Sequence, residues 1–162
     1  MAKPVRLKDQ SVLIDAPREL VYQMMTAFNK GSISGDNNES SKVISQDGDS
    51  LVVEFKTRAG WFTYTTLEEI TLHPPERITF NHLKGPLHYS TEEFIFEDVD
   101  GQTRLTHTGE LIWSRFPFFG WLGAVVYTRP MFHKVIDHHL VKVKESSEAR
   151  AARSHVFPRR KK

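Results

Sequence analysis

The chain has 162 residues, enough for one domain with a sizeable core, and its 39% apolar content is far above that of a disordered chain. A net charge of +2 implies neither an acidic nor a basic partner, and much of the positive excess sits in Arg150, Arg153, Arg159, Arg160, Lys161 and Lys162. There is no cysteine, which excludes disulfides, thiolate metal sites and cysteine nucleophiles.

The opening residues, MAKPVRLKDQ, contain no apolar stretch of secretory-signal type. The most apolar window, Phe116 to Tyr127, is about 12 residues long and too short to span a bilayer. A cytoplasmic protein is therefore expected. The first element is a short strand, Ser11 to Ala16, followed by a helix with Asp15 as N-cap and Pro17 near its first position. Leu20, Met24 and Phe28, with Val21 and Met25 beside them, recur at helical spacing, and the helix stops by Gly31. Residues 29–41 are polar and rich in Gly, Ser and Asn, which predicts a long loop.

From Lys42 to Trp113 the pattern is a meander of alternating strands with turns at Gly48-Asp49, Ala59-Gly60, Pro74-Pro75, Lys84-Gly85-Pro86 and Asp100-Gly101. Each turn sets a register, and paired residues must share a face. Pairing Asp47 with Ser50 sets Ile44 against Val53, and Arg58 with Trp61 sets Phe55 against Tyr64. Leu72 with Ile78 sets Ile70 against Phe80, while Val99 with Gln102 sets Phe96 against Leu105 and Phe94 against His107. After Trp113 two arrangements fit. Either Thr128 caps a helix with Pro130 in its first turn, or one helix starts at Pro117 and kinks at Pro130. Phe132, Ile136, Leu140 and Val143 then make an apolar stripe along a helix of Pro130 to about Arg150.

The segments SVLIDAPRELVYQMM, TYTTLEEITLHPPERITFNHLKG and YTRPMFHKVIDHHLVKVKESSE, in the order strand, helix, meander, long helix, resemble the helix-grip fold of the START-like superfamily, also called SRPBCC. That superfamily includes birch-pollen-allergen-like proteins, polyketide cyclases and coenzyme Q-binding proteins. The resemblance covers nearly the whole chain and rests on topology, since no single motif is diagnostic. It implies an α+β fold, a curved antiparallel sheet of about seven strands wrapped around a long C-terminal helix, with an apolar ligand cavity between them. One departure is that residues 29–41 hold no aromatic residue, where the family often has a short second helix that does.

Within this arrangement the informative side chains are polar ones in phase with the buried face. Glu68 alternates with Tyr64 and Ile70, His82 with Ile78 and Phe80, Glu92 with Phe94 and Phe96, and His107 with Leu105 and Trp113. The registers set Glu68 opposite His82, His82 opposite His88, and His88 opposite Trp113. Such a row is costly to bury unless it is paired or meets a ligand. Either it lines the cavity, or a bulge flips its phase or its members satisfy one another. His133, His138 and His139 lack the i, i+3 or i, i+4 spacing of a zinc pair. The apolar 116–127 window is either a helix start packed on the sheet or a lid or interfacial segment.

A single domain over residues 1–152 with a basic tail at 153–162 is thus expected to bind a hydrophobic or lipid-like small molecule as a carrier, sensor or sequestering protein. The expected lining is Phe55, Tyr64, Phe80, Phe94, Trp113, Phe132 and Ile136, with Glu68, His82, His88 and His107 as polar anchors. No cofactor, metal or nucleic-acid partner is expected, and any membrane-surface contact would be weak. Two alternatives stand beside this one. The first is a cofactor-independent cyclase or dehydratase with an inward His or Glu as general acid–base. The second is a protein- or membrane-interaction module presenting residues 116–127.

Overall fold

The computed structural model describes residues 3–28, 39–59, 61–113 and 121–156. Strands β1 (Val5–Arg6) and β2 (Gln10–Ile14) lead into helix α1 (Arg18–Met25). Six long strands follow: β3 (Glu39–Asp47), β4 (Ser50–Ala59), β5 (Phe62–His73), β6 (Arg77–Lys84), β7 (Tyr89–Val99) and β8 (Gln102–Ile112). A π-helical turn at Ala124–Thr128 then runs into α2 (Arg129–Val156). The strands form one antiparallel sheet in the order β1-β8-β7-β6-β5-β4-β3, and β2 joins β1 along the same edge of β8. This is the helix-grip architecture, with eight strands once the two-residue β1 is counted.

The Asp100-Gly101 turn has φ of 54° and 85°, the doubly positive geometry of a two-residue hairpin loop. It fixes Val99 opposite Gln102, Phe96 opposite Leu105 and Phe94 opposite His107, as the pattern predicts. Ile70 likewise meets Phe80. Other registers differ. A bulge between Val43 and Ser45 sets Val43, not Ile44, opposite Val53, and leaves Ile44 51% exposed. Ala59 pairs with Phe62, so Phe55 faces Thr66 and not Tyr64. That slip is two residues, so every side chain keeps its face. β3 also begins at Glu39, earlier than the polar composition suggests, because Ser40 and Ser41 pair with Lys56 and Phe55 of β4. The rest of the expected loop, residues 29–38, lies outside the described residues.

Asp15 does not cap α1. The cap position falls two residues later, at Pro17, whose carbonyl accepts from the N–H groups of Leu20 and Val21 at 3.0 and 3.1 Å. The Asp15 N–H instead donates to Glu148 Oε1 of α2 at 2.8 Å. Lys144 Nζ donates both to Glu148 and to the Leu13 carbonyl, the latter at 2.7 Å. These bonds clamp the C-terminal half of α2 to the end of β2. Below the clamp, Leu140 and Val143 pack with Ile14, Val21, Tyr22 and Met25 in the core. Each large aliphatic side chain so buried contributes roughly 2 kcal/mol.

From Trp121 the helix runs unbroken through Pro130, as the second arrangement has it, while the start at Pro117 and the 116–120 part of the apolar window lie outside the described residues. Thr128 is no cap, being 2% exposed with its hydroxyl unpartnered. Pro130 lacks an N–H and would press on the turn before it, and the helix widens there. The Arg129 N–H reaches the Ala124 carbonyl, five residues back. Helix α2 then continues past Arg150 to Val156.

Candidate functional site

The inner face of the sheet has a closed end and an open end. At the closed end Ile14, Ile78, Phe96 and Leu105 are essentially sealed, and the Tyr22 ring meets Phe96 edge-on at 5.1 Å. Burial, with Asp49 nearby, pushes the Tyr22 phenol up to about 12. At the other end Tyr64, Glu68, Phe80 and His82 on the middle strands are only half-buried, as is Phe132 of α2. The sheet face there is apolar and aromatic. Phe80 sits 6.3 Å from Phe55 and 5.7 Å from Phe94, and Phe94 in turn lies 5.9 Å from His139 of α2 and 4.8 Å from His107. Ile136 is buried in the same core.

Polar groups cross this wall. Glu68 pairs directly with His82, as the register predicts. Beyond His82 the expected row breaks. Strand β6 meets β7 with Phe80 opposite Glu92 and Asn81 opposite Thr91, two residues away from the register that would bring His82 to His88. The cause is the connection at residues 85–88. Gly85, at φ 156°, turns back onto the His82 ring so closely that a Cβ there would lie 2.6 Å from Cε1. That folded-in turn takes up chain, and His88 ends exposed. Trp113 is 40% exposed and lies against Gly123, so it stands at the rim of the site. Tyr64 keeps its inward phase, opposite Thr57.

The row continues instead through Glu92. Its Oε2 lies 2.9 Å from Nε2 of His107, whose ring is 1% exposed, while the Glu92 side chain keeps 13% exposure. Gly109 makes this possible: it stands opposite Glu92, and a Cβ there would come within 2.6 Å of the Thr91 carbonyl and 3.0 Å of Glu92 Cγ. Two ring nitrogens on this face are sealed from water without a partner, Nδ1 of His107 and Nε2 of His82. Burial lowers the His82 pKa, opposed by a hydrogen bond to the Leu87 backbone and by the Glu92 charge. With its other nitrogen turned to Leu87, the neutral ring offers Nε2 as an acceptor.

Gln10 of β2 pairs with His107 and links the wall to α2 by donating to the His133 carbonyl at 3.1 Å. His133 Nε2 accepts from the Lys8 N–H at 3.0 Å, and burial, then Arg129, Lys8 and His107, lower its pKa. Glu92 is the member that strand alternation flags as inward, and the Asp100-Gly101 register sets it opposite Gly109, one position along from the Phe94–His107 pair on the same face. Its signal was its phase with Phe94, and a glycine directly across at Gly109. No group of three metal-ligating side chains occurs among the described residues. A separate open cleft of about 380 Å³ lies outside this face, between Lys8–Val12 and His133, Asp137, Leu140 and Val141.

No family model matches the chain, and no curated protein does. Solved structures do resemble it. An aromatase/cyclase, Zhui from Streptomyces sp. R1128, superposes with a TM-score of 0.71 at 16% identity, over 94% of this chain and 96% of that one. The di-domain ARO/CYC BexL from the BE-7585A biosynthetic pathway gives 0.75 at 17% identity, over 90% of this chain and 50% of its own. Ara h 8.0201 gives 0.64 at 11% identity, over 89% and 97%. At such identities the likeness establishes the fold alone.

Proposed function

We propose, on the premise that this chain has the helix-grip fold of the START-like superfamily, that it binds an apolar small molecule bearing a hydrogen-bond donor. The molecule lies between the inner sheet face and the N-terminal half of α2. One observation carries this: Nε2 of His82 is shut from water and unpartnered on an aromatic wall. A shift of the Gly85 turn that covers this ring edge would let a hydroxyl or N–H on the ligand satisfy it, whereas an empty site leaves a desolvated acceptor. Phe55, Phe80, Phe94, Phe132 and Ile136 supply the apolar contact, Tyr64 and Glu68 flank His82, and Glu92 with His107 forms the second polar position. His88 and Trp113 fall outside this set.

The test is to purify the full chain gently, record native mass spectra, and extract any retained molecule. A retained apolar compound with a hydroxyl or N–H group is the expected result. The variant His82→Leu should then bind that compound about tenfold more weakly, the cost of one hydrogen bond to a buried group. No retained molecule and no binding of hydroxylated aromatic probes would sink the proposal.

A second reading, a cyclase or dehydratase, draws support from the Glu92–His107 contact. His107 is too deeply sealed to meet a substrate, so Glu92 would be the general base and His107 its positioning residue. Aromatase/cyclases among the solved neighbours favour trying polyketide-like or aromatic substrates. Turnover lost in Glu92→Gln with binding kept would support catalysis, and binding without turnover in the wild type would leave the carrier reading.

A further inference from the structure

The first turns of the last helical run carry an apolar face that nothing in the described structure covers. Trp121, Leu122, Val126, Tyr127, Met131 and Val135 are all exposed, Val126 and Tyr127 each at 66%. Tyr127, Met131 and Val135 recur every four residues and so form one line along the helix, with Leu122 and Val126 as a second line beside it. Ala124, Thr128 and Ile136 face the other way and are buried. The Trp113 ring, seated on Gly123, continues the patch toward the sheet rim. Exposed apolar side chains are ordinary when scattered, but a contiguous set marks an interaction surface.

The charges around this face identify the partner. Between Glu110 and Asp137 the sequence has no acidic residue, while Lys134, three residues beyond Met131, is exposed on this face and half-buried Arg129 lies at its border beside His133. A second copy of the chain is disfavoured, because a two-fold contact would bring Arg129 and Lys134 toward their own copies. An anionic lipid surface fits both parts. Tryptophan and tyrosine settle at the headgroup level, aliphatic side chains enter the acyl boundary, and cations meet phosphates. No helix among the described residues is long and apolar enough to cross a membrane, so the contact is peripheral.

We infer that this face docks the protein on an anionic lipid surface, with Trp121, Val126, Tyr127 and Met131 entering the interface and Arg129 and Lys134 meeting lipid phosphates. The inference goes beyond ligand binding and does not depend on it. It places the half-open end of the sheet, beside Phe132, next to the bilayer.

The full chain is sedimented with vesicles of phosphatidylcholine containing roughly one-third phosphatidylglycerol, and with phosphatidylcholine alone. Binding to the anionic vesicles only, weakened by salt, is expected. Tryptophan emission should shift to the blue in a Trp61→Phe background, which removes the separate signal of Trp61, 94% exposed on the β4–β5 turn. V126E/M131E changes only exposed positions and should lower partitioning by about tenfold or more. Ile44→Glu on β3 should leave it unchanged, as should His82→Leu, so failure here and failure of the ligand reading are separable. No sedimentation with anionic vesicles overturns the inference, as does equal binding to both vesicle types with Lys134→Glu silent. A dimer abolished by V126E/M131E, without vesicle binding, overturns it in favour of self-association.

Discussion

His82 and the Glu92–His107 pair concentrate the unusual chemistry of this chain in a few side chains. Burial holds the folded-state pKa of His82 below the unfolded value of 6.5. Between those two values the unfolded chain takes a proton that the folded chain refuses. The neutral ring therefore supports the fold above pH 6.5, and that support is lost as pH falls through the folded pKa. Thermal melts from about pH 5 to about pH 8 should show the wild type losing more stability on acidification than His82→Gln. Parallel curves would mean that His82 is hydrated in solution. Glu92→Leu removes the one polar partner that His107 has within hydrogen-bonding distance among the described residues, and should cost about 2–3 kcal/mol in urea denaturation. A loss below about 0.5 kcal/mol would show that water reaches the ring. Gly109→Ala should also destabilise, by roughly 1–3 kcal/mol, because its methyl would press on the Thr91 carbonyl, which is backbone.

Among the elements, α2 divides into a fastened half and a freer one. Glu148 has a pKa held below its usual value by the Asp15 N–H and by Lys144. Its contribution is present above pH 4.5 and is lost as pH falls through the folded pKa. Glu148→Gln should cost about 1 kcal/mol at neutral pH, a modest figure because the group is partly solvated. One residue earlier, Ser147 is fully buried with an unpartnered hydroxyl. Ser147→Ala should be neutral or stabilising by up to about 1 kcal/mol, whereas Val143→Ala should lose about 1–3 kcal/mol. Chemical denaturation of the two variants distinguishes them, and a clear loss in Ser147→Ala would mean that the hydroxyl is bonded in solution.

The same elements show what the sequence made legible. Asp-Gly at 100–101 has one favoured turn, so the β7–β8 register could be read without the structure, and with it the pairing of Phe94 and His107. The Gly85–His88 connection had no such signature. Its path is set by contact with the His82 ring, a tertiary fact, and so the polar row was traced to His88 where it belongs to Glu92. Ile44 was misplaced for a similar reason, since a bulge inserts a residue without any mark in the alternation. The continuous helix through Pro130 was one of two readings, and only the widened turn before it decides between them.

For the whole molecule, the asymmetry between a sealed end and a half-open end is the property that matters. The core at Ile14, Phe96, Leu105 and Val143 holds the fold, while Phe80 and His82 at the other end stay half-buried. If a ligand occupies that end, the melting temperature should rise with ligand concentration, and delipidated protein should melt lower than protein as purified. The far edge of the sheet has a different consequence. β3 pairs with β4 alone among the described strands, so its outer edge presents backbone groups on which another chain's strand can pair. The bulge at Val43–Ser45 interrupts that row and turns Ile44 outward. A misregister that aids pattern-breaking inside one molecule thus serves as a guard between molecules: deleting Ile44 would straighten the edge into a template for fibril-like stacking.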